Sequence, residues 1–419
     1  MSVHVLGIDI GTSGARAALI DRAGDVVGLA SAGMQAGDAP TSPETWWRAA
    51  RTCLEHLHGE HGLSQVAALA VDGTSGTMLA VDAAGKPVGT AAMYNEPCHD
   101  ETIIARIEEF APPDSAARGR TSALARALAM QRRRHAHAII HQADWIAGRL
   151  SGRFDRSDEN NALKTGYDPV LRRWPDWIER AGADRAKLPV VLPAGAPIGP
   201  VGAAARQLGL PASAIVHAGT TDGCASFIAT GAANAGDAVT ALGSTLVIKL
   251  LSDKPIASAE YGVYSHRLAD RWLVGGASNT GGKVIEQLFG RERLAELTAT
   301  LAPDAPTGLH YYPLAAPGER FPINDPALAP RLEPRPASEA MFFQGVLEGI
   351  AEIEALAYRR LAQLGAPALT SVRSVGGGAG NEGWRRIRQR LLGAPFAPAL
   401  SQDACVGAAR LALANLGAT

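Results

Sequence analysis

Two distant segments of this chain repeat one local pattern. Gly7-Ile8-Asp9-Ile10-Gly11-Thr12-Ser13-Gly14 continues into an apolar run over 15–20, and Val239-Thr240-Ala241-Leu242-Gly243-Ser244-Thr245 continues into another over 246–251. Each reads as strand, Gly-Thr/Ser turn, strand, with glycine supplying the backbone freedom of a tight hairpin. A pattern that opens twice implies a duplicated α/β unit, one copy beginning each of two domains. The 419 residues accommodate two domains of the usual size, about 150 residues or more each. Where the first copy carries Asp9 the second carries Ala241, so the copies are not chemically equivalent.

Around these hairpins the pattern predicts a meander over 3–10, 15–21 and 26–30, then a helix over 43–57 with Ser42 before Pro43 at its start. Trp46-Trp47 on that helix reads as core. Strands follow over 66–71 and 78–81, separated by Asp72-Gly73-Thr74-Ser75-Gly76, and residues 100–150 read as mainly helical. Pro189, Pro193, Pro197, Pro200 and Pro211, interspersed with glycine, mark the handover between domains, placed at 212/213. The second domain, 213–419, shows strands over 237–242, 246–251, 261–268 and 271–275. Its long helix over 340–364 is expected to turn Phe342, Phe343, Val346 and Ile350 inward, with Glu348, Glu352 and Glu354 in solvent.

Composition excludes several classes. Forty basic against 41 acidic residues leave a net charge of −1, without the basic excess that nucleic acid or an anionic membrane requires. Arg132-Arg133-Arg134 is too short a run to change this and reads as a solvated helix face. Cys53, Cys98, Cys224 and Cys405 form no CxxC pair, so no zinc site or disulfide framework is expected. No apolar run reaches the length of a membrane span, and the start has no signal-like charge pattern, so a cytoplasmic protein is expected. Both Gly-Lys pairs lack the following Ser/Thr of a P-loop: they continue into Pro87 and Val284.

Three segments carry candidate phosphate chemistry. A carboxylate within an apolar strand is disfavoured, yet Asp9 immediately precedes the Gly11-Thr12-Ser13-Gly14 turn. Acid, hydroxyls and exposed backbone N–H groups together suit hydrated Mg²⁺ and polyphosphate; ordinary hairpin punctuation is the alternative. In Thr220-Thr221-Asp222-Gly223, Asp222 opens a small-residue helix, either as a cap or as a general base for phosphoryl transfer. His217 just before it reads as a packed strand end. Gly378-Ala379-Gly380-Asn381-Glu382-Gly383 matches G-x-G-x-x-G, but too little chain follows for a dinucleotide fold, and a glycine corner between strand and helix is an equal reading.

Taken together, Gly7-Ile8-Asp9-Ile10-Gly11-Thr12-Ser13…Arg16, Ala218-Gly219-Thr220-Thr221-Asp222-Gly223 and Gly376-Gly377-Gly378-Ala379…Trp384 resemble three ordered blocks of the FGGY carbohydrate kinases, within the actin/sugar-kinase/Hsp70 superfamily. The likeness continues through Asp144-Trp145-Ile146, Ser157-Asp158-Glu159-Asn160-Asn161-Ala162, Tyr167-Asp168…Trp174 and Leu188-Pro189…Gly195…Ile198-Gly199. It implies an α/β fold of two actin-like (ribonuclease H-like) domains with ATP in the cleft between them. It further implies Mg²⁺ near Asp9 and Asp222 deprotonating a sugar hydroxyl. Gly11, Thr12 and Ser13, with Gly243, Ser244 and Thr245, would approach the β/γ-phosphates, while Gly376, Gly377, Asn381 and Trp384 would lie by the adenosine. The sugar would meet Asp9, Ser75, Tyr94, Asn95, Glu96 and Asp222, and the enzyme would work as a monomer or homodimer.

Departures from the family pattern bear on the sugar. Xylulose kinases commonly carry Gly-Gln-Met-His after the second core strand and Trp-x-Asp-x-Arg further on; here these stretches read Ser75-Gly76-Thr77-Met78 and Tyr94-Asn95-Glu96-Pro97-Cys98. The Arg-Glu pair of glycerol kinases is missing too. The Asp-Gly-Thr-Ser-Gly-Thr loop resembles the compact D-ribulose kinases, which makes D-ribulose the expected acceptor and D-xylulose or another polyol the alternative. A chaperone ATPase would need a peptide-binding domain for which the chain has no room, and a filament ATPase has no signature here. A catalytically degenerate binder is expected to have lost Asp9 or Asp222, and both are present.

Overall fold

The computed structural model describes residues 3–35 and 37–416. They form two compact units, one of Met1–Ala229, His266–Ala269 and Asp403–Thr419, the other of Thr230–Ser265 and Asp270–Gln402. The division therefore falls at Ala229/Thr230 rather than at 212/213. The reason is strand pairing: the segment after the proline-rich stretch adds a parallel strand to the first sheet.

That sheet contains β1 (His4–Ile10), β2 (Gly14–Ile20), β3 (Val26–Gly33), β4 (Val66–Gly73), β5 (Pro197–Pro200) and β6 (Ile215–Thr221), in the order β3-β2-β1-β4-β6-β5. β1, β4 and β6 are parallel neighbours, and their near-continuous apolar sequences follow from burial on both faces. Helices Pro43–His61 and Gln142–Ser151 cover the face of Ile8, Ile10, Leu69 and Val71, with Trp46 and Trp47 in this core. Helices Asp222–Ala229 and Ala404–Ala414 cover the opposite face, over Val5, Ala18 and Ala70. Glycine makes the second contact possible. A Cβ on Gly7 would lie 1.9 Å from the Cys405 carbonyl oxygen, and one on Gly407 would lie 1.8 Å from that of Ala225.

Residues 100–150 are less helical than their composition suggests. Helices Glu101–Phe110 and Ala123–Met130 are followed by a strand, Ala138–His141, which pairs antiparallel with Met78–Val81. Arg132 to Arg134 lie in turns between them, Arg132 pairing with Asp100 and Arg133 donating to the carbonyls of Val88 and Thr90.

The second unit repeats the meander as β7 (Asp237–Leu242), β8 (Leu246–Ser252) and β9 (Arg271–Ser278), with β10 (Ser371–Val375) parallel to β7. Helix Glu339–Gln363 buries Phe342, Phe343, Val346 and Ile350 as expected. Glu348 and Glu354, expected in solvent, are buried instead. Glu354 is 0% exposed and takes a two-pronged bond from the equally buried Arg388, Nε–Oε2 2.6 Å and Nη2–Oε1 2.7 Å, while the Thr240 hydroxyl donates to Oε1. Glu348 accepts from Arg390 and from the Thr307 backbone. Glu352 stays partly exposed beside His310. Among the described residues, no helix is long and apolar enough to cross a membrane.

Candidate active site

β1, β4 and β6 end side by side, and each end carries an aspartate. Asp9 is in register with Asp72, Asp72 with Thr220, and Gly73 with Thr221, so Asp222 follows directly at the next position. Carboxyl ends of parallel strands are where ligands bind in α/β sheets. Asp9 is 7% exposed, and its nearest cation, the largely exposed Arg16, stands 4.0 Å away. Burial pushes the Asp9 carboxyl above its ordinary range, and the charges of Asp222 and Asp403 add to this.

Asp72 was read as part of a turn, and it belongs to this site. It is fully buried, and among the described residues no donor reaches either of its oxygens; Asp9 stands in register beside it on the neighbouring strand. Burial, then the charges of Asp9 and Asp222, hold Asp72 well above the ordinary carboxyl range. A raised folded-state value means stability that is complete below the unfolded carboxyl range and is lost as pH rises through the folded value. Asp72→Asn is therefore expected to gain melting temperature relative to the parent as pH rises above the ordinary carboxyl range, read by melts from acid through alkaline pH. A melting difference that stays flat from acid through alkaline pH would show that Asp72 gains no proton affinity on folding.

At the start of helix Asp222–Ala229 the capping hydroxyl is that of Thr221, which accepts from Cys224 N at 3.4 Å. Asp222 is half-buried and accepts from Gly223 N at 2.7 Å. The cap and the candidate base are thus different residues. His217 is buried and bonds the Gly195 carbonyl through Nδ1 at 2.7 Å, and burial lowers its pKa.

Thr12 and Ser13 lie exposed at the tip of the β1–β2 hairpin, closed by Gly11 N donating to Gly14 O at 2.9 Å. In the second unit the carbonyls of Gly243 and Ser244 accept from the N–H groups of Gly282 and Lys283, seating the first turn of helix Gly282–Phe289 on that hairpin. Gly243, Ser244, Gly377 and Asn381 line a cavity of about 870 Å³, together with Lys283 and apolar walls from Ile285, Leu294 and Trp384. That volume and mixed lining suit an organic ligand with one polar end. Gly376, with φ of 86°, makes the turn that leads into it. Asn381 caps helix Glu382–Leu392 through Trp384 N and donates to Thr298, so its amide is engaged at both ends. Trp384 is a wall residue, its indole N–H on the Leu347 carbonyl.

The sugar-side candidates gather beyond β4. Tyr94 N donates to Thr77 Oγ1 at 3.1 Å, laying the exposed Tyr94, Asn95 and Glu96 along the loop that holds Ser75, whose hydroxyl is buried without a partner. Gln142 and Arg126 join this loop and were not expected there. The Gln142 carbonyl accepts from Thr74 N and Thr74 Oγ1, leaving its amide nitrogen buried and without a partner among the described residues.

Comparison with known proteins matches residues 4–118 to the N-terminal domain and 238–416 to the C-terminal domain of the FGGY family of carbohydrate kinases. The chain belongs to this family, whose members are ATP-dependent sugar kinases. It is 25% identical over 440 residues to the xylulose kinase of Escherichia coli, covering 97% of this chain and 89% of that one. Against the gluconokinase of Bacillus subtilis it is 22% identical, covering 100% and 88%. The crystal structure of a xylulose kinase from Rhodospirillum rubrum superposes with a TM-score of 0.85 at 23% identity, over 99% of this chain and 90% of that one. The two units accordingly have the actin-like ATPase fold.

Proposed function

We propose that this kinase transfers the γ-phosphate of ATP to a hydroxyl of a ketopentose, D-ribulose giving D-ribulose 5-phosphate, with Asp222 as general base. The observation that carries the reading is the row of aspartates at the ends of β1, β4 and β6, beside the Ser75 loop. Asp222 takes the hydroxyl proton as the sugar oxygen attacks the γ-phosphorus; the bond from γ-phosphorus to the bridging oxygen breaks, and ADP leaves. Asp9 orients the phosphate side. It fits Mg²⁺ because it is a buried carboxylate whose ion-pair partner, Arg16, is largely exposed and stands 4.0 Å off. When bound, Mg²⁺ neutralises charge on the transferring phosphoryl group. Among the described residues no three His, Cys, Asp or Glu side chains are grouped to hold a metal alone, which suits an ion that keeps waters and phosphate oxygens as ligands.

The nucleoside fits the cavity of the second unit, with base and ribose against Ile285, Leu294 and Trp384 and the phosphates toward Gly243, Ser244 and Lys283. For the acceptor, Asp72-Gly73-Thr74-Ser75-Gly76-Thr77 supports D-ribulose. D-xylulose is the second reading, supported by the names of the relatives. A coupled ADP-release assay across pentuloses, hexuloses, polyols and gluconate decides between them. D-ribulose is expected to give the highest kcat/KM, and a higher value with D-xylulose would refute the reading of this loop while leaving the kinase intact.

A further inference from the structure

Arg126 projects from helix Ala123–Met130 and is 4% exposed; among the described residues no carboxylate forms an ion pair with it at contact distance, although the Glu96 charge acts on it. Its Nε donates to the Gly76 carbonyl at 3.0 Å and its Nη1 to the Glu96 carbonyl at 3.0 Å. One side chain therefore ties the Ser75 loop to the Tyr94–Glu96 loop. Burial lowers its pKa to about 10, so it remains charged at neutral pH. A buried guanidinium held only by carbonyls costs desolvation that an apolar side chain of the same length would avoid. Its third nitrogen, Nη2, has no acceptor among the described residues. That nitrogen faces the gap left by Gly76, where a Cβ would come within 3.0 Å of Nη2 and 4.0 Å of Lys164 Cδ. Gly76 has φ of 91°, so both its conformation and the space beside it require glycine.

We propose that Arg126 is a sugar-binding and specificity residue: two nitrogens set the spacing of the loops, and Nη2 donates to an oxygen of the acceptor sugar. This rests on the sugar-kinase reading of the Ser75 loop. Arg126→Lys keeps the charge but cannot bridge both carbonyls and still reach a ligand. It is expected to raise the KM for the preferred pentulose at least about tenfold, the scale of one charged hydrogen bond, with kcat changed less than about threefold. It should also change the ratio of kcat/KM for D-ribulose over D-xylulose, while calorimetric ADP binding stays within about twofold. Arg126→Gln, which lacks the third nitrogen but can still donate to one loop carbonyl, should give the same sugar-selective loss and serves if the lysine variant melts early. A sugar KM within about twofold of the parent in either folded variant overturns the assignment, as does an equal loss of sugar and ADP binding. Failure of the parent enzyme to phosphorylate any sugar would instead remove the kinase reading, and this assignment with it.

Discussion

Asp222→Asn is expected to lower kcat by at least about 10²-fold while ADP and sugar bind within a few-fold of the parent. The amide keeps the shape of the carboxylate and can still accept from Gly223 N through its oxygen. Thr221, not Asp222, caps the helix, so the cap is kept. What is lost is the capacity to take a proton. Steady-state kinetics with isothermal calorimetry on the same preparation separates the effects. Near-normal turnover would leave Asp222 as one more charge beside Asp9 and Asp72.

The second large effect concerns stability. Glu354 and Arg388 are each about 1% exposed or less and satisfy one another on two prongs, with Thr240 on the acid and Ser374 on the guanidinium. Glu354→Ala strands a buried cation, for which about 3–5 kcal/mol of destabilisation is expected. In a unit of this size that corresponds to a melting decrease of about 10 °C. Replacing both partners, Glu354→Leu with Arg388→Met, should recover most of the loss, because two apolar side chains leave no charge unpaired. Calorimetric melts of the single and double variants check this. A single-variant loss below about 1 kcal/mol would show that the arginine finds water or another acceptor.

These residues also show what could be read from sequence and what could not. The two hairpins were legible because glycine, hydroxyl and apolar alternation are local signals, and the structure has them as β1–β2 and β7–β8. The glycine corner at 376–380 was legible for the same reason. Asp72 was not, because the glycines and serine after it give it the look of turn punctuation. Only parallel register with β1 and β6 reveals that it faces Asp9. Arg126 and Gln142 act through backbone groups distant in sequence, which leave no spacing signal. Glu354 follows Ile350 by four residues and so shares its inward stripe; only its acidic side chain suggested solvent, and its partner lies 34 residues away on another helix. The domain boundary was drawn at the prolines, where composition changes; strand pairing carries the first sheet past them to β6.

The helix Ala404–Ala414 rests backbone-close on β1, which is synthesised long before it. On the ribosome, at about 5–20 residues per second, the apolar face of Val5, Ala18 and Ala70 has only helix Asp222–Ala229 as cover until the second unit has been made and Ala404–Ala414 emerges. The second unit, whose segments all precede that helix, has everything it needs sooner. Birth order and folding order are thus opposed: the half of the enzyme made first is finished last. A nascent chain stalled before residue 404 would expose that partly covered sheet face to chaperones.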